Sequence, residues 1–325
     1  MRKRLLCLIM ALAIVLSGGN SVKAYAAGTG TTAKTAATAK TGTTTKASTT
    51  TKASSATTKT QAANTVVKNK VGTKTWKTQK IVKEFKRGGN KIYGEIYRPV
   101  GDGQFPGIII AHGFNSNCGY ARSFAQQLAK NGVVAYVFDF VGGGNNVKSG
   151  GNMTEMSMRT EAADFNVVFN GIRSLNYVDE KRMFVMGESM GGYVATYIAG
   201  TRPNDVKGLI AFCPAYSLSG EGYELLLKYN MIPDVIPFLG AVIGRKFIQD
   251  LVGLDIYKVM ANFNGKAVIA HGTKDSIVPI SYSERAVKTM KNAKLVRISG
   301  AEHGLVENSQ ARAAALNLIK ELSNK

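Results

Sequence analysis

A serine in a glycine-rich turn is the residue whose surroundings point most directly to chemistry. Ser189 lies in GESMGG (187–192), directly after an apolar strand-like run and before a helical one. A sharp strand-to-helix turn pushes the serine oxygen above the edge of a sheet, and Gly187 and Gly191 leave the space that such a tight turn needs. The N-terminus of the following helix favours negative charge that develops beside it. Ser189 is therefore predicted to be a nucleophile.

A nucleophilic serine needs a base, and the sequence contains three histidines. His112 and His271 each precede a glycine at the end of a predicted strand, whereas His303 lies in GAEHG (300–304), a loop after the last strand. Asp275 follows the preceding strand. The chain order serine, aspartate, histidine, with all three at carboxyl ends of strands, predicts a catalytic triad in which His303 accepts the proton and Asp275 orients His303.

Acyl transfer through a serine also needs donors for the oxyanion that forms on the attacked carbonyl group. The backbone N–H of Met190, the residue after the nucleophile, is the first expected donor. The second is the N–H of Phe114, in the turn that follows the apolar strand Gly107–Ala111. Phe114 contributes here through its backbone, so its side chain matters less to this role.

Other chemistry-bearing residues are given simpler roles. The run Gly142–Gly144 follows a strand but lacks G-x-G-x-x-G spacing, so a flexible turn is favoured over a phosphate cradle. Asp139, at the end of that strand, is expected to fix the turn by hydrogen bonds. Scattered histidines without paired cysteines or H-E-x-x-H do not indicate a metal site, and no cofactor is expected. Cys118, near the oxyanion turn, lacks the geometry of a second nucleophile.

The elements that must position these residues alternate between apolar strands and helices. Two β-rich runs, 79–85 and 91–98, are joined by a Gly-Gly-Asn turn and predict a hairpin. From Pro99 onwards the alternation predicts an α/β fold with a mostly parallel sheet, covered by helices on both faces and opened by the antiparallel hairpin. An apolar segment at about 215–262 interrupts the pattern and is predicted to be a helical cap over the site. An additional pair of packing helices is the alternative.

The N-terminal quarter of the chain differs from the rest. The 325 residues carry a formal net charge of +21, and residues 1–80 contain 14 lysines or arginines but no acidic residue. Residues 1–27 combine a basic start, a short apolar run and Ala24-Tyr25-Ala26, which is typical of a cleaved signal peptide. Residues 28–74 are rich in Thr, Ala and Lys and are predicted to be a disordered linker. The catalytic domain is predicted at 75–325.

These features predict a secreted or cell-envelope-associated protein with no membrane span after cleavage. The basic linker suits an anionic cell envelope, although a solvated tether without a partner fits equally well. Nucleic acid is not expected as a partner, because no aromatic residues alternate with the lysines. Cys118 and Cys213 remain after cleavage and are predicted to be small buried residues, with a disulfide left open.

Six motifs together resemble a known superfamily. They are HGFNSN (112–117), YVFDFVGGG (136–144), NMTEMS (152–157), GESMGG (187–192), HGTKDSIVP (271–279) and GAEHG (300–304). The sequence resembles the α/β hydrolases over roughly 78–322, in the branch of small bacterial serine esterases that includes cinnamoyl (feruloyl) esterases and serine-aminopeptidase-like enzymes. The resemblance implies a serine hydrolase without a cofactor and with an inserted cap. Glu188 departs from the pattern, because histidine is common before the nucleophile in relatives.

Three functions stay open at this point. The first is a secreted hydrolase of carboxylic esters with small acyl or aryl groups, whose substrate is a small molecule or an ester linked to polysaccharide. The second is an exopeptidase or amidase, for which Glu221, Glu224 or Asp234 in the insertion could bind a substrate amino group. The third is a non-catalytic, wall-associated binding protein, which the presence of all three triad residue types disfavours.

Overall fold

The computed structural model describes residues 66–219 and 231–325. The predicted signal peptide, most of the predicted linker and the start of the insertion lie outside these residues. The described strands are β1 (Thr78–Val82), β2 (Phe85–Arg87), β3 (Asn90–Ile92), β4 (Gly94–Pro99), β5 (Phe105–Ala111), β6 (Val134–Phe138), β7 (Val178–Glu188), β8 (Gly208–Phe212), β9 (Val235–Phe238), β10 (Ala241–Gly244), β11 (Lys266–Gly272) and β12 (Ala293–Ile298). The α-helices are α1 (Arg122–Lys130), α2 (Met158–Arg173), α3 (Met190–Thr201), α4 (Arg245–Leu251), α5 (Ile256–Met260), α6 (Ser281–Thr289) and α7 (Ser309–Ser323). Short 3-10 turns cover Cys118–Ala121, Met153–Glu155 and Tyr216–Leu218.

Eight strands form one sheet in the order β1-β4-β6-β5-β7-β8-β11-β12. The pairs β1/β4 and β4/β6 are antiparallel, and all the pairs from β6 to β12 are parallel. The predicted α/β class, with an antiparallel start, is thus confirmed. Because the carboxyl ends of the parallel strands meet at one edge, the loops that follow β5, β7, β11 and β12 come together there.

Both faces of the sheet are buried, as continuous apolar strands require. In β5, Ile109 belongs to the core that includes α2 and α3, whereas Ile108 and Ile110 belong to the core that includes α1 and α7. Successive side chains of a strand point to opposite faces, so an all-apolar strand can supply both cores.

The N-terminal hairpin forms where the Gly-Gly-Asn turn predicts it. Strands β2 and β3 pair around that turn, in which Gly88 has φ 57°, and β1 pairs with β4 further out. Glycine tolerates this left-handed conformation, so the turn can be tight. The hairpin is thereby added to the parallel sheet through the antiparallel pair β4/β6.

The packed region begins before residue 75, where the sequence pattern placed the end of the linker. Val71 is completely buried, and the Asn324 side chain accepts from its N–H (2.8 Å) and donates to its carbonyl (3.0 Å). Residues 28–62 contain no large aliphatic side chain, whereas Val71 buries apolar surface.

The insertion lies between β8 and β11, as predicted, but it is not purely helical. Its described part contains the hairpin β9/β10 as well as the short helices α4 and α5. Leu239 (φ 44°) and Gly240 (φ 75°) form the hairpin turn, and two consecutive left-handed residues match the twist of paired strands. In the part of the chain that the structure describes, no helix is both long enough and apolar enough to cross a bilayer.

One buried carboxyl group in α2 has an unfavourable environment. Glu161 is completely buried, and neither of its carboxyl oxygens has a hydrogen-bond partner among the described residues. Burial, followed by the nearby Asp164 carboxyl group, raises the pKa of Glu161 well above its usual value. Asp164 itself accepts from the Arg87 guanidinium and from the Val141 N–H. The folded protein therefore holds the Glu161 proton at a pH where the unfolded chain has already lost it.

This linkage predicts that stability falls as pH rises above the usual pKa of a glutamate. Glu161→Gln keeps the shape but cannot ionise, so its Tm should rise relative to wild type between pH 5 and pH 8. Each kcal/mol gained in the free energy of unfolding raises Tm by roughly 2–4 °C in a chain of this size. Thermal unfolding by circular dichroism across that range tests this, with exposed Glu180→Gln as the matched control. If Tm changed with pH in the same way for Glu161→Gln and wild type, the prediction would be contradicted.

Candidate active site

Ser189 stands in a strained turn between β7 and α3. Its φ is 55° and its ψ −120°, a conformation that a residue with a side chain rarely adopts. Hydrogen bonds hold it there: the Ser189 N–H donates to the Phe212 carbonyl (2.9 Å), and its carbonyl accepts from the N–H groups of Tyr193 (3.1 Å) and Ala215 (2.9 Å). The neighbouring strand β8 and the first turn of α3 thus fix the serine backbone.

The two glycines of the turn are required by close backbone contacts. A Cβ on Gly187 would lie 2.1 Å from the Gly191 carbonyl oxygen. A Cβ on Gly191 would lie 2.4 Å from the carbonyl oxygens of Ala111 and His112. Both distances are well inside van der Waals contact, so any larger residue would force the turn and the β5 loop apart. The sequence predicted this crowding for Gly187 and Gly191.

Ser189, His303 and Asp275 form a continuous hydrogen-bonded chain. His303 Nε2 lies 2.9 Å from Ser189 Oγ, and His303 Nδ1 lies 2.7 Å from Asp275 Oδ2. The Asp275 side chain is fully buried, whereas 17% of the His303 side chain is exposed. Because a carboxylate only accepts, Nδ1 carries the proton, and Nε2 is left free to accept from the serine hydroxyl.

Asp275 is fixed from both sides. Its Oδ1 accepts from the N–H groups of Ile277 (3.0 Å) and Val278 (2.8 Å), which leaves Oδ2 to face His303. The turn that carries Asp275 is also joined to the His303 loop, because Lys274 N–H donates to the Ala301 carbonyl (3.0 Å). The relative position of Asp275 and His303 is therefore set by backbone contacts.

The two N–H groups that the sequence predicts as oxyanion donors belong to Met190, next to Ser189, and to the loop after β5. Met190 is the first residue of α3, so its N–H has no acceptor within that helix. The loop after β5 passes beside the serine, since a Cβ on Gly113 would lie 3.2 Å from Ser189 Cβ. Phe114 follows in that loop, and its ring packs edge-on against Phe238 of β9 at 5.0 Å between centroids. The insertion therefore touches the loop that carries the second predicted donor.

The run Gly142–Gly144 supports this loop. A Cβ on Gly144 would lie 2.4 Å from the Ser116 carbonyl oxygen, and a Cβ on Gly143 would lie 2.9 Å from His112 Cε1. Asp139, at the end of β6, accepts from the N–H groups of Cys118 (2.7 Å) and Lys148 (2.6 Å). Asp139 thus makes the turn-fixing hydrogen bonds expected of it, whereas Gly143 and Gly144 are closely packed rather than simply a flexible turn.

His112 is part of the scaffold. It is fully buried, and its Nε2 accepts from the Phe140 N–H (3.1 Å) while Nδ1 donates to the Gly113 carbonyl (2.7 Å). Desolvation lowers its pKa, so the ring stays neutral. Since both ring nitrogens are occupied, His112 holds the β5 loop and the β6 loop together and cannot serve Ser189 as a base.

His271 is also fully buried but lies next to Asp275. Its Nε2 donates to the Val278 carbonyl (2.8 Å) and is 3.1 Å from Asp275 Oδ2. Its Nδ1 is 2.7 Å from Ser283 Oγ on α6. Desolvation lowers the pKa of His271, so the imidazole is neutral and Nδ1 accepts from the serine hydroxyl.

Glu188 has a structural role that sequence reasoning missed. Its Oε2 accepts from the N–H groups of Leu305 (2.6 Å) and Val306 (2.8 Å), in the loop that carries His303. Burial raises the pKa of this carboxyl group, and the two N–H donors oppose that rise. Glu188 thus joins the nucleophile turn to the loop of the base. The only signal in the sequence was an acid at a position where relatives often have histidine.

Cys118 and Cys213 are free and buried. Burial raises the pKa of Cys118 to about 12, which keeps its thiol protonated. In the described residues, Cys213, Asp275 and His303 bring three potential metal-ligand atoms within 4.8 Å of one another. Burial also raises the pKa of the Cys213 thiol well above its usual value, and His303 Nδ1 already donates to Asp275. This donor set suits a hydrogen-bonded chain better than a metal ion.

Comparison with known proteins adds to this geometry. Residues 106–252 match the family described as serine aminopeptidase, S33. "Protein usf" of Aquifex pyrophilus is 29% identical over 138 residues, which cover 40% of this chain and 59% of that protein. Monoglyceride lipase of Rattus norvegicus is 26% identical over 178 residues, which cover 52% of this chain and 55% of that enzyme. The similarity thus spans less than two thirds of either relative.

Solved structures match over nearly their full length. Est1E from Butyrivibrio proteoclasticus gives a TM-score of 0.63 at 21% identity, covering 73% of this chain and 98% of that one. DcsB in complex with its substrate analogue gives a TM-score of 0.62 at 20% identity, covering 76% of this chain and 100% of that one. The chain has the α/β-hydrolase fold. The resemblance of the six motifs to α/β hydrolases is therefore confirmed, and in this chain the insertion follows β8.

The contacts of Glu188 predict how the His303 loop responds to its loss. Glu188→Ala leaves the N–H groups of Leu305 and Val306 without their acceptor, so Ser189 should react about tenfold more slowly with a fluorophosphonate. Glu188→Gln keeps a carbonyl acceptor and should stay within about threefold of wild type. The rate of Ser189 modification, followed by mass spectrometry, tests this.

The exposed acid beside the base, Glu302, provides the control. Glu302→Ala should react as wild type does. Equal rates for Glu188→Ala and wild type would show that the His303 loop does not depend on Glu188.

Proposed function

We propose that this protein is a serine hydrolase of carboxylic esters, with Ser189 as nucleophile, His303 as general base and Asp275 as the residue that orients His303. The observation that carries the proposal is the hydrogen-bonded chain from Ser189 Oγ through the imidazole to a buried carboxylate. It stands at the strand edge where α/β sheets place their sites. Serine alone is a weak nucleophile and needs such a partnered base.

In the proposed reaction, Ser189 Oγ attacks the ester carbonyl while His303 Nε2 takes the hydroxyl proton. The tetrahedral oxyanion accepts from the N–H groups of Met190 and Phe114, each of which would contribute about 3 kcal/mol. His303 then returns the proton to the alkoxide leaving group, and an acyl-serine remains. Water, activated by His303, releases the acid and restores Ser189. The proposed chemistry needs no metal or cofactor.

Ester substrates are favoured by the relatives and by the apolar surroundings of the site. In sequence, this chain resembles rat monoglyceride lipase. In fold, it resembles Est1E, whose structure has also been solved with bound ferulic acid. Phe114 and Phe238 form an aromatic contact beside the oxyanion loop, and Phe238 in turn packs near Phe247. We therefore propose small acyl or aryl esters, including feruloyl esters and esters linked to polysaccharide, as substrates.

A peptidase or amidase is the second candidate, because the matching family is described as serine aminopeptidase, S33. Such an enzyme needs an acid for the substrate amino group. Glu221 and Glu224 lie outside the described residues, and Asp234 pairs with Arg245 at 2.9 Å. The Glu188 carboxylate already accepts from the His303 loop. The described acids therefore give this candidate less support than the ester candidate.

The N-terminal segment belongs to the proposal as well. We propose that residues 1–27 direct export, that the following Thr- and Lys-rich linker is a tether, and that its positive charge favours an anionic cell envelope. The basic start, apolar run and small-residue site support export. The protein would then act on esters outside the cytoplasm.

Initial rates on three substrates test the function. The protein from residue 28 onwards is assayed with p-nitrophenyl acetate, methyl ferulate and an aminoacyl anilide, with Ser189→Ala as the blank. We expect ester turnover at least about a thousandfold above the blank, because the triad acts as a unit, and no anilide turnover.

Faster turnover of the anilide than of either ester would favour the peptidase instead. Rates equal to the blank on all three substrates would contradict the hydrolase proposal and favour the binding protein. His303→Ala should match the blank, whereas His112 and His271 are not expected to replace it as the base.

A further inference from the structure

Asp275 is surrounded by more donors than a triad needs, and one of them is a second imidazole. Its Oδ1 accepts from two backbone N–H groups, and its Oδ2 lies between His303 Nδ1 at 2.7 Å and His271 Nε2 at 3.1 Å. A buried carboxylate is stable only when its oxygens are well satisfied, because desolvation of the charge is costly. The proposed reaction explains one of these imidazoles and leaves the other without a role.

The proton on His271 can be located from its contacts. A backbone carbonyl cannot donate, so the 2.8 Å contact to the Val278 carbonyl requires the proton on His271 Nε2. The Ser283 hydroxyl, 2.7 Å from Nδ1, supplies the donor that a neutral imidazole accepts. His271 therefore presents the positive end of an N–H dipole to the Asp275 carboxylate rather than a lone pair.

The contacts also form a closed loop through Val278. His271 Nε2 donates to the Val278 carbonyl, while the Val278 N–H donates to Asp275 Oδ1 at 2.8 Å. The same imidazole edge lies against Oδ2. His271 sits in β11 and Ser283 in α6, so rigid elements anchor the turn that carries Asp275. Movement of His271 would change both the position of the carboxylate and the charge that its Oδ2 presents.

We infer that His271 is a positioning residue for Asp275, holding the carboxylate in place and dispersing part of its charge away from His303. This inference rests on the proposed serine-hydrolase function. His271 never touches the substrate and moves no proton; it acts through Asp275. Among the described residues, the ionisable groups that face His303 are Asp275, Glu188, His271 and Cys213. Of these, His271 is the one that presents a donor to Asp275 Oδ2, the oxygen that also faces His303.

Two substitutions separate positioning from mere packing. Gln can place an amide N–H where the imidazole has Nε2, whereas Asn is too short to reach Asp275 or Val278. His271→Asn should lower kcat on the best ester about tenfold, the effect of one hydrogen bond to a charged group. It should also shift the acid limb of the kcat/KM profile to higher pH, because the carboxylate then acts more strongly on the His303 imidazolium. His271→Gln should show the wild-type pH profile of kcat/KM, and its kcat should stay within about threefold of the wild-type value.

The measurements are pH–rate profiles of wild type, both variants and Ser189→Ala, with thermal unfolding of each. If His271→Asn does not fold, Ser283→Ala, which removes the contact to Nδ1, should give a smaller loss and a shift in the same direction. An unchanged pH profile in the folded variants, or equal losses for Asn and Gln, would overturn the inference while leaving the function intact. Wild-type turnover no faster than Ser189→Ala would overturn the proposed function, and this inference with it.

Discussion

The crowding between the nucleophile turn and the end of β5 is the constraint on which the rest of the site depends. Gly191 packs so closely on the carbonyl groups of Ala111 and His112 that a methyl group would not fit. This contact brings the loop that carries Phe114 beside Ser189 and leaves the serine at a positive φ. Strain of this kind persists only where several surrounding contacts fix the backbone. Here the sheet, α3 and the β5 loop each fix the backbone of Ser189.

Asp275 and His303, the proposed orienting acid and base, are held by a second set of backbone contacts. Gly272 packs against the Ala301 carbonyl, and the turn of Asp275 donates to the same loop. Glu188 then ties the far end of the His303 loop back to the nucleophile turn. Three loops from different strands are therefore joined into one unit by polar groups that lie largely out of water, where each hydrogen bond is strengthened.

Much of this was predictable from the sequence, because the features are local. The glycines around Ser189, the apolar strands and the Gly-Gly-Asn turn each carry their conformational reason in neighbouring residues. The positions of Asp275 and His303 followed from one topological rule, that loops at carboxyl ends of parallel strands meet. The contacts that could not be predicted are between residues far apart in sequence. Glu188 meets Leu305 across 117 residues, and Val71 meets Asn324 across 253. The hairpin β9/β10 was missed because short apolar runs do not distinguish strand from helix.

Ser189 is proposed to carry the acyl group during turnover. Intact-protein mass spectrometry of the enzyme quenched during reaction with p-nitrophenyl acetate tests it most directly, with peptide mapping to find the modified residue. We expect an added acetyl group on Ser189 in the wild type, and none there in His303→Ala. An acetyl group mapped to another residue, or Ser189 left unmodified while ester is consumed, would contradict the mechanism.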